Sequence, residues 1–174
     1  MAVRPIVVVP HQILSSNAEP VCDIDEEVRK LVTDMIDTMY KAPGIGLAAN
    51  QVGELLQLIV YDIVYPYAEP KKKKRCPVCL INPTIRASEG EEIREEGCLS
   101  VPEFQIEIKR PACVQVDGID LDGKPVRIEA EGLLARVLQH EIDHLLGKTL
   151  LEHASGIKRN LYRRRMRKHT RRDE

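Results

Sequence analysis

The stretch EGLLARVLQHEIDHLLG, residues 131–147, constrains the fold of this chain more than any other. Its apolar residues recur at helical spacing, and Gly147 stands where a helix-ending glycine is expected. Leu133, Val137, His140 and His144 fall along one stripe of that helix. A stripe that mixes aliphatic residues with two imidazoles has to be buried, and buried imidazoles need polar company. A central helix is therefore expected, with the rest of the chain built around its chemistry.

The segments before it read mostly as strands. Asp23 or Asp25 caps an amphipathic helix over EEVRKLVTDMIDTMYKAPG, with Val28, Leu31, Val32, Met35, Ile36 and Met39 on one stripe. Glu26 and Glu27 suit its positive end, and Pro43-Gly44 stops it. The opening MAVRPIVVVPHQIL reads as a strand, GIGLAANQVG as a Gly/Ala-rich loop, and LLQLIVYDIV as a buried strand. YPYAEPKKKKRCP is a surface loop by its prolines and its basic run, after which VCLINPTI resumes as a strand. EEIREEGCLSVPEFQIEI mixes strand and loop, and ACVQVDGIDLDGKPVRIEAEG reads as a hairpin turning at Asp122-Gly123. The expectation is an α+β fold, with mixed or antiparallel sheets packed around the central HExxH-bearing helix and helices at both termini. Residues 1–155 are expected to form a single catalytic domain and residues 156–174 a basic C-terminal helix or tail.

Bulk properties remove several function classes. A formal net charge of -1 gives no global attraction to nucleic acid or membrane, and no apolar stretch is long enough to span a bilayer. Pro5 and Pro10 bracket the N-terminal apolar run and no small-residue cleavage site follows, so a soluble, cytoplasmic protein is expected. With 1 Phe and no Trp, the core has to be aliphatic. Five cysteines, an odd number without an export signal, point to metal binding or inert burial rather than disulfides. Charge is unevenly spread: Lys158, Arg159, Arg163, Arg164, Arg165, Arg167, Lys168, Arg171 and Arg172 crowd the tail, a pattern that favours phosphate backbones.

The helix carries chemistry in HEIDH. Residues four apart stack on a helix, so His140 and His144 converge on one ion, while Glu141 reaches a water without being a ligand. A catalytic ion needs a third protein ligand and an open position. Glu152 and His153 lie downstream, where zinc proteases with this motif take theirs; Cys98 lies upstream in EEGCLSVP as a soft thiolate beside Gly97. A zinc endopeptidase thus remains open at this point. So does an RNA-associated module with a structural zinc on Cys76, Cys79, His140 and His144, although its ligands are too far apart for a finger.

A third string completes a pattern. GIGLAANQ, EGCLS and QHEIDHL, in that order, resemble the peptide deformylase family, enzymes that remove the N-formyl group from nascent chains. The resemblance covers roughly residues 5–165. It implies a metal site of Cys98, His140 and His144 holding Fe2+, with Zn2+ or Ni2+ as substitutes. It implies Glu141 as general acid and base, and the Gln51 side chain and Leu99 backbone N–H facing the reacting carbonyl. The residues make sense of this: Glu141 takes a proton from the attacking water, the two donors hold the oxyanion, and the leaving amine is protonated. Gly44 and Gly46 would let the backbone come close to a small formyl group, and Ile45, Glu96, Gly97, Leu133, Val137 and His140 would line the methionine pocket. Arg136 stands where members often carry an aliphatic residue, so its charge has to reach solvent or a carboxylate. Gln105 stands where many carry Arg. Arg110 matches a family arginine, and its pairing with Glu96 would order the EGCLS loop. The partners implied are formyl-methionyl nascent peptides and, through the basic tail, ribosomal RNA near the exit tunnel. No membrane contact is expected, and a monomer is.

Overall fold

Leu58–Tyr61 (β2) is buried at all four positions. Side chains alternate across a strand, so such a run needs cover on both faces. Leu58 and Val60 join Leu31, Val32, Met35 and Met39 of helix α1, Glu26–Lys41. Ile59 and Tyr61 face the other way and join Val137, Leu138 and Ile142 of helix α2, Gly132–Leu145. The two helices thus cover opposite faces of one sheet, and α2 is the central element that its stripe predicts.

The computed structural model describes residues 2–67 and 74–170, with side chains up to Met166 on the last helix. Part of each basic run, Lys71–Lys73 and Arg171–Arg172, lies outside the described residues, as do the side chains of Arg167 and Lys168. The five-stranded sheet has the order β1-β2-β3-β6-β7, with β1 at Gly46–Ala48, β3 at Val78–Glu89, β6 at Cys113–Ile119 and β7 at Pro125–Glu131. Glu92–Cys98 (β4) and Val101–Arg110 (β5) form a separate hairpin, in register from Glu92↔Arg110 to Gly97↔Gln105. Every pairing between these strands is antiparallel, which narrows the expected mixed or antiparallel sheet to the second. Two further helices, α3 at Leu150–His153 and α4 at Gly156–Thr170, follow. Leu150, Leu151 and Tyr162 from them pack on Val101, Ile106 and Ile108 of β5.

Local chemistry explains the element ends. The Asp25 carboxylate accepts the Val28 N–H at 2.9 Å and caps α1. The β6–β7 hairpin turns where expected: Asp120 Oδ1 accepts the amides of Asp122 and Lys124, and Gly123 has φ 77. GIGLAANQVG is more than a loop, since Gly46–Ala48 pairs with β2 and Ala49–Val52 closes a 3-10 turn. A three-residue strand is too short to show a period.

The N-terminal apolar run is not a strand. Pro5 and Pro10 have no N–H to give to a ladder. The remaining amides are taken singly: Ala2 by Asp34 Oδ1 (2.9 Å), Arg4 by Thr38 Oγ1 (2.9 Å), Val7 by the Gln51 carbonyl (2.8 Å) and Val9 by the Ser100 carbonyl (3.0 Å).

Asp34 anchors the start of this segment. The Ala2 amide outweighs the cost of burial and, together with Arg4, holds the Asp34 carboxyl below the ordinary range. A folded pKa below the unfolded one gives stability that is full above the unfolded value and is lost as pH falls through the folded one. Asp34→Asn should therefore be less stable than the parent near neutral pH, with the gap closing below about pH 4. Urea unfolding across that range is the measurement, and a gap independent of pH would rule out the ionised carboxylate as the anchor.

Candidate active site

Helix α2 and the β4–β5 hairpin meet at Cys98, His140 and His144. One ligand atom from each lies within 4.8 Å of the others, and Cys98 Sγ is 3.1 Å from His144 Nε2. The two imidazoles stand 5.0 Å apart with planes inclined by 69°. His144 is buried and Asn50 Nδ2 donates to its carbonyl oxygen at 2.5 Å. Burial pushes the His144 imidazole well below its ordinary pKa and so favours the neutral form that a metal needs. A thiol sulfur and two imidazoles suit a divalent first-row transition metal, so the donor set fits such an ion.

The other expected ligands are engaged elsewhere. Glu152 Oε2 accepts the Thr149 N–H at 2.7 Å, and His153 Nε2 is 2.9 Å from Asp143 Oδ2 on the outer side of the helix. Cys76 and Cys79 belong to no metal-capable cluster among the described residues.

Glu96 is the polar partner that the buried histidine stripe requires. Its Oε2 lies 3.0 Å from His140 Nδ1, and Arg110 grips both carboxylate oxygens at 2.7 and 3.1 Å. Burial alone would raise the Glu96 carboxyl, but hydrogen bonds from His140 and Arg110 hold it at about 2. Arg110 also donates to Asp143 Oδ2 at 2.8 Å, so the expected Arg110–Glu96 pair is one side of a larger cluster. Arg136 does not reach solvent; it finds the Glu96 carboxylate at 2.5 Å.

Glu141 sits behind His140 and is 4% exposed. Burial pushes its carboxyl up to about 7, and Oε2 has no hydrogen-bond partner among the described residues. Gln51 lines the same cleft with a fixed orientation. Its Oε1 accepts the Ala48 N–H at 2.9 Å, so Nε2 turns towards Ser100 Oγ (3.1 Å) and Cys98 Sγ (3.7 Å). A carboxyl of near-neutral pKa beside three convergent metal-capable donors, with an amide N–H on the same cleft, is equipped for proton transfer and for holding an oxyanion.

These groups border one cleft of about 1040 Å³. Gly44, Ile45, Gly46, Gln51, Glu96, Gly97, Cys98, Leu99, Leu133, Val137, His140 and Glu141 all line it, whereas His144 lies behind the wall. The glycines have a reason that their sequence does not reveal. A Cβ on Gly44 would come 2.9 Å from Leu99 Cδ1, and one on Gly46 would overlap the Glu141 carboxylate. They let the two loops and the helix close on one another.

Tyr67, Glu103 and Phe104 line the cleft without having been expected there. Tyr67 comes from a segment that reads as surface loop, and the other two reach the site through hairpin register. Asn50 and Ser100 lie within the GIGLAANQ and EGCLS strings, and that membership was the signal available for them.

Comparison with known proteins bears on this geometry. The polypeptide deformylase family model matches residues 3–160. A curated peptide deformylase of Brucella suis is 45% identical over 169 residues, covering 97% of this chain and 94% of that protein. The crystal structure of a peptide deformylase from Legionella pneumophila superposes with a TM-score of 0.88 at 44% identity, covering 99% of this chain and 98% of that one. One from Ehrlichia chaffeensis, in complex with actinonin, gives 0.89 at 40% identity, over 97% and 98% of the two chains.

The crowding at Gly46 is directly testable. Gly46→Ala should displace the Glu141 carboxylate and crowd Val137 Cγ1, lowering the unfolding free energy by about 1–3 kcal/mol. Gly156→Ala, where a Cβ meets nothing within 4 Å, serves as the control and should be neutral or slightly stabilising. Equal urea midpoints for the two variants would remove the close approach as the reason for Gly46.

Proposed function

Because the chain belongs to the polypeptide deformylase family, we propose that its cleft presents the formyl-methionyl end of a peptide to a single divalent iron ion. The reaction itself is a hydrolysis that removes the N-formyl group from the initiator methionine of nascent polypeptides and releases formate. The observation that carries the assignment of roles is the convergence of Cys98, His140 and His144 beside a buried Glu141 and the Gln51 amide.

Cys98, His140 and His144 would hold Fe(II), with Zn(II) or Ni(II) as substitutes. When bound, the ion supplies Lewis acidity towards water and the formyl oxygen. Glu141 takes the proton of the attacking water as the new C–O bond forms. It then returns a proton to the peptide nitrogen as the C–N bond breaks. Its near-neutral carboxyl suits both transfers. Gln51 Nε2 and the Leu99 backbone N–H donate to the oxygen that gains charge in between. Ile45, Leu133 and Val137, closed by Glu96 and Gly97, enclose the methionine side chain, while Gly44 and Gly46 let Leu99 and Glu141 close in at the formyl end.

We take residues 1–155 as the catalytic domain and 156–174 as a basic docking helix or tail, in a monomer of the cytoplasm. No helix among the described residues is long and apolar enough to cross a membrane. Lys158, Arg163 and Arg164 are exposed on α4 while Arg165 pairs with Glu103 and Tyr162 is buried against β5, so the helix offers the first three cations outward from a fixed seat. Ribosomal RNA is the partner that this charge suits.

Two measurements test these roles. Anaerobically prepared, Fe(II)-loaded protein should release formate from a formyl-Met peptide, and Glu141→Ala should lose about 10²–10⁴-fold of that rate while keeping the metal. Failure of the parent to release formate would overturn the function, and an undiminished Glu141→Ala would overturn the proton role alone. Replacing Lys158, Arg163 and Arg164 by Glu should weaken ribosome binding and flatten its salt dependence without touching peptide kinetics. Unchanged, salt-sensitive binding would exclude the helix as the contact.

A further inference from the structure

Helix α2 and the β4–β5 hairpin contribute different parts of the metal site, and no peptide bond near the site fixes the distance between them. Arg136 lies one turn before His140 on the same face of α2. Its side chain is only 8% exposed. Its NH1 lies 2.5 Å from Glu96 Oε1 and 3.4 Å from the Ile108 carbonyl oxygen. Its NH2 lies 3.3 Å from the Glu92 carbonyl oxygen and 3.5 Å from Glu92 Oε2. One helix side chain thus grips both strands of the hairpin.

We propose that Arg136 is a positioning residue of the metal site: it clamps the hairpin to α2 and thereby fixes the His140 ring and the place of Cys98. This rests on the assignment of Cys98, His140 and His144 as ligands. Glu96 Oε2 meets His140 Nδ1, so the position of that carboxylate sets the plane of the imidazole. Arg110 cannot do the whole task. It belongs to β5, the neighbour of Glu96 in the hairpin, and its own hold on the helix is at Asp143, beyond His140. Arg136 supplies the hold on the other side, so the helix is pinned to the hairpin on both flanks of the ligand.

Stability alone is a poor reason for this arginine. Its buried Nε has no partner among the described residues, and buried ion pairs often contribute little net stability against apolar replacements. Removing it leaves no carboxylate bare, because Glu96 keeps Arg110 and Glu92 keeps Arg94. An unbranched apolar substitute should therefore fold.

The test is the rate at which nickel(II)-loaded holoenzyme loses its metal to excess chelator. Groups that orient a metal-bound imidazole typically change affinity 10–100-fold, and Arg136→Met should release nickel about 10-fold faster than the parent. Its metal-free thermal midpoint should stay near the parental value. Arg136→Lys, which keeps a cation beside Glu96 but loses the reach to Ile108 and Glu92, should fall between the two and serves in its place if the Met variant does not fold. A parental nickel off-rate in either variant would overturn the proposal, including the case in which only the metal-free midpoint falls. His144→Ala separates the two levels: it should not retain nickel, and if it does, the ligand assignment fails and the role of Arg136 fails with it.

Discussion

The buried carboxylate of Glu96 is the joint on which the rest of the site depends. It receives Arg110 from its own hairpin and Arg136 and His140 from the helix, all at hydrogen-bond distance. Apolar packing between α2 and the five-stranded sheet fixes the helix along its length, through Val137, Leu138 and Ile142. The hairpin is a separate sheet and shares no ladder with the five strands. Its relation to the helix is set by these directional ionic contacts together with the apolar packing of α3 and α4 on β5. Such contacts specify distance and angle more tightly than dispersion does, at a desolvation cost that apolar packing avoids. A site that draws ligands from two units gains from that trade, since a ligand displaced by an ångström is largely lost to the ion.

The site and the fold were legible in the sequence to different degrees. Helices α1 and α2 show a sustained 3.6-residue period, and both appear where that period puts them. The β6–β7 hairpin announces itself through its Asp-Gly turn. The N-terminal run misleads because Val-rich composition is also what an apolar segment needs when it packs without pairing. The Gly46–Ala48 strand hides because its partner, Leu58–Tyr61, lies ten residues on and three residues show no alternation. At the site, His140, His144, Glu141 and Cys98 were visible as chemistry. Ser100, which receives Gln51 Nε2, and Asn50, which holds the His144 carbonyl, are ordinary polar residues whose meaning lies only in what folds against them. Arg136 was visible as an anomaly, a charge where family members often carry an aliphatic residue, yet its target could not be read without the hairpin register.

The same nonlocal logic explains how the two elements that carry the proposed oxyanion donors are held against one another. Gln51 is carried by the 3-10 turn after β1 and Leu99 by the turn between β4 and β5, elements that share no strand pairing. Three contacts draw them together. Ser100 Oγ receives the Gln51 amide, the Leu99 side chain fills the space that a Cβ on Gly44 would need, and the N-terminal segment binds both loops from outside. In that segment Val7 donates to the Gln51 carbonyl and Val9 to the Ser100 carbonyl, so two amides two residues apart span the junction. A formyl group has one small carbonyl and little else to bind, so discrimination has to come from donors held at a fixed separation rather than from contact area. The apolar N-terminal run, which pairs with no strand, supplies part of that rigidity. Its two backbone donors do for the loops what Arg136 and Arg110 do for the helix and the hairpin: they turn pieces distant in sequence into one rigid frame.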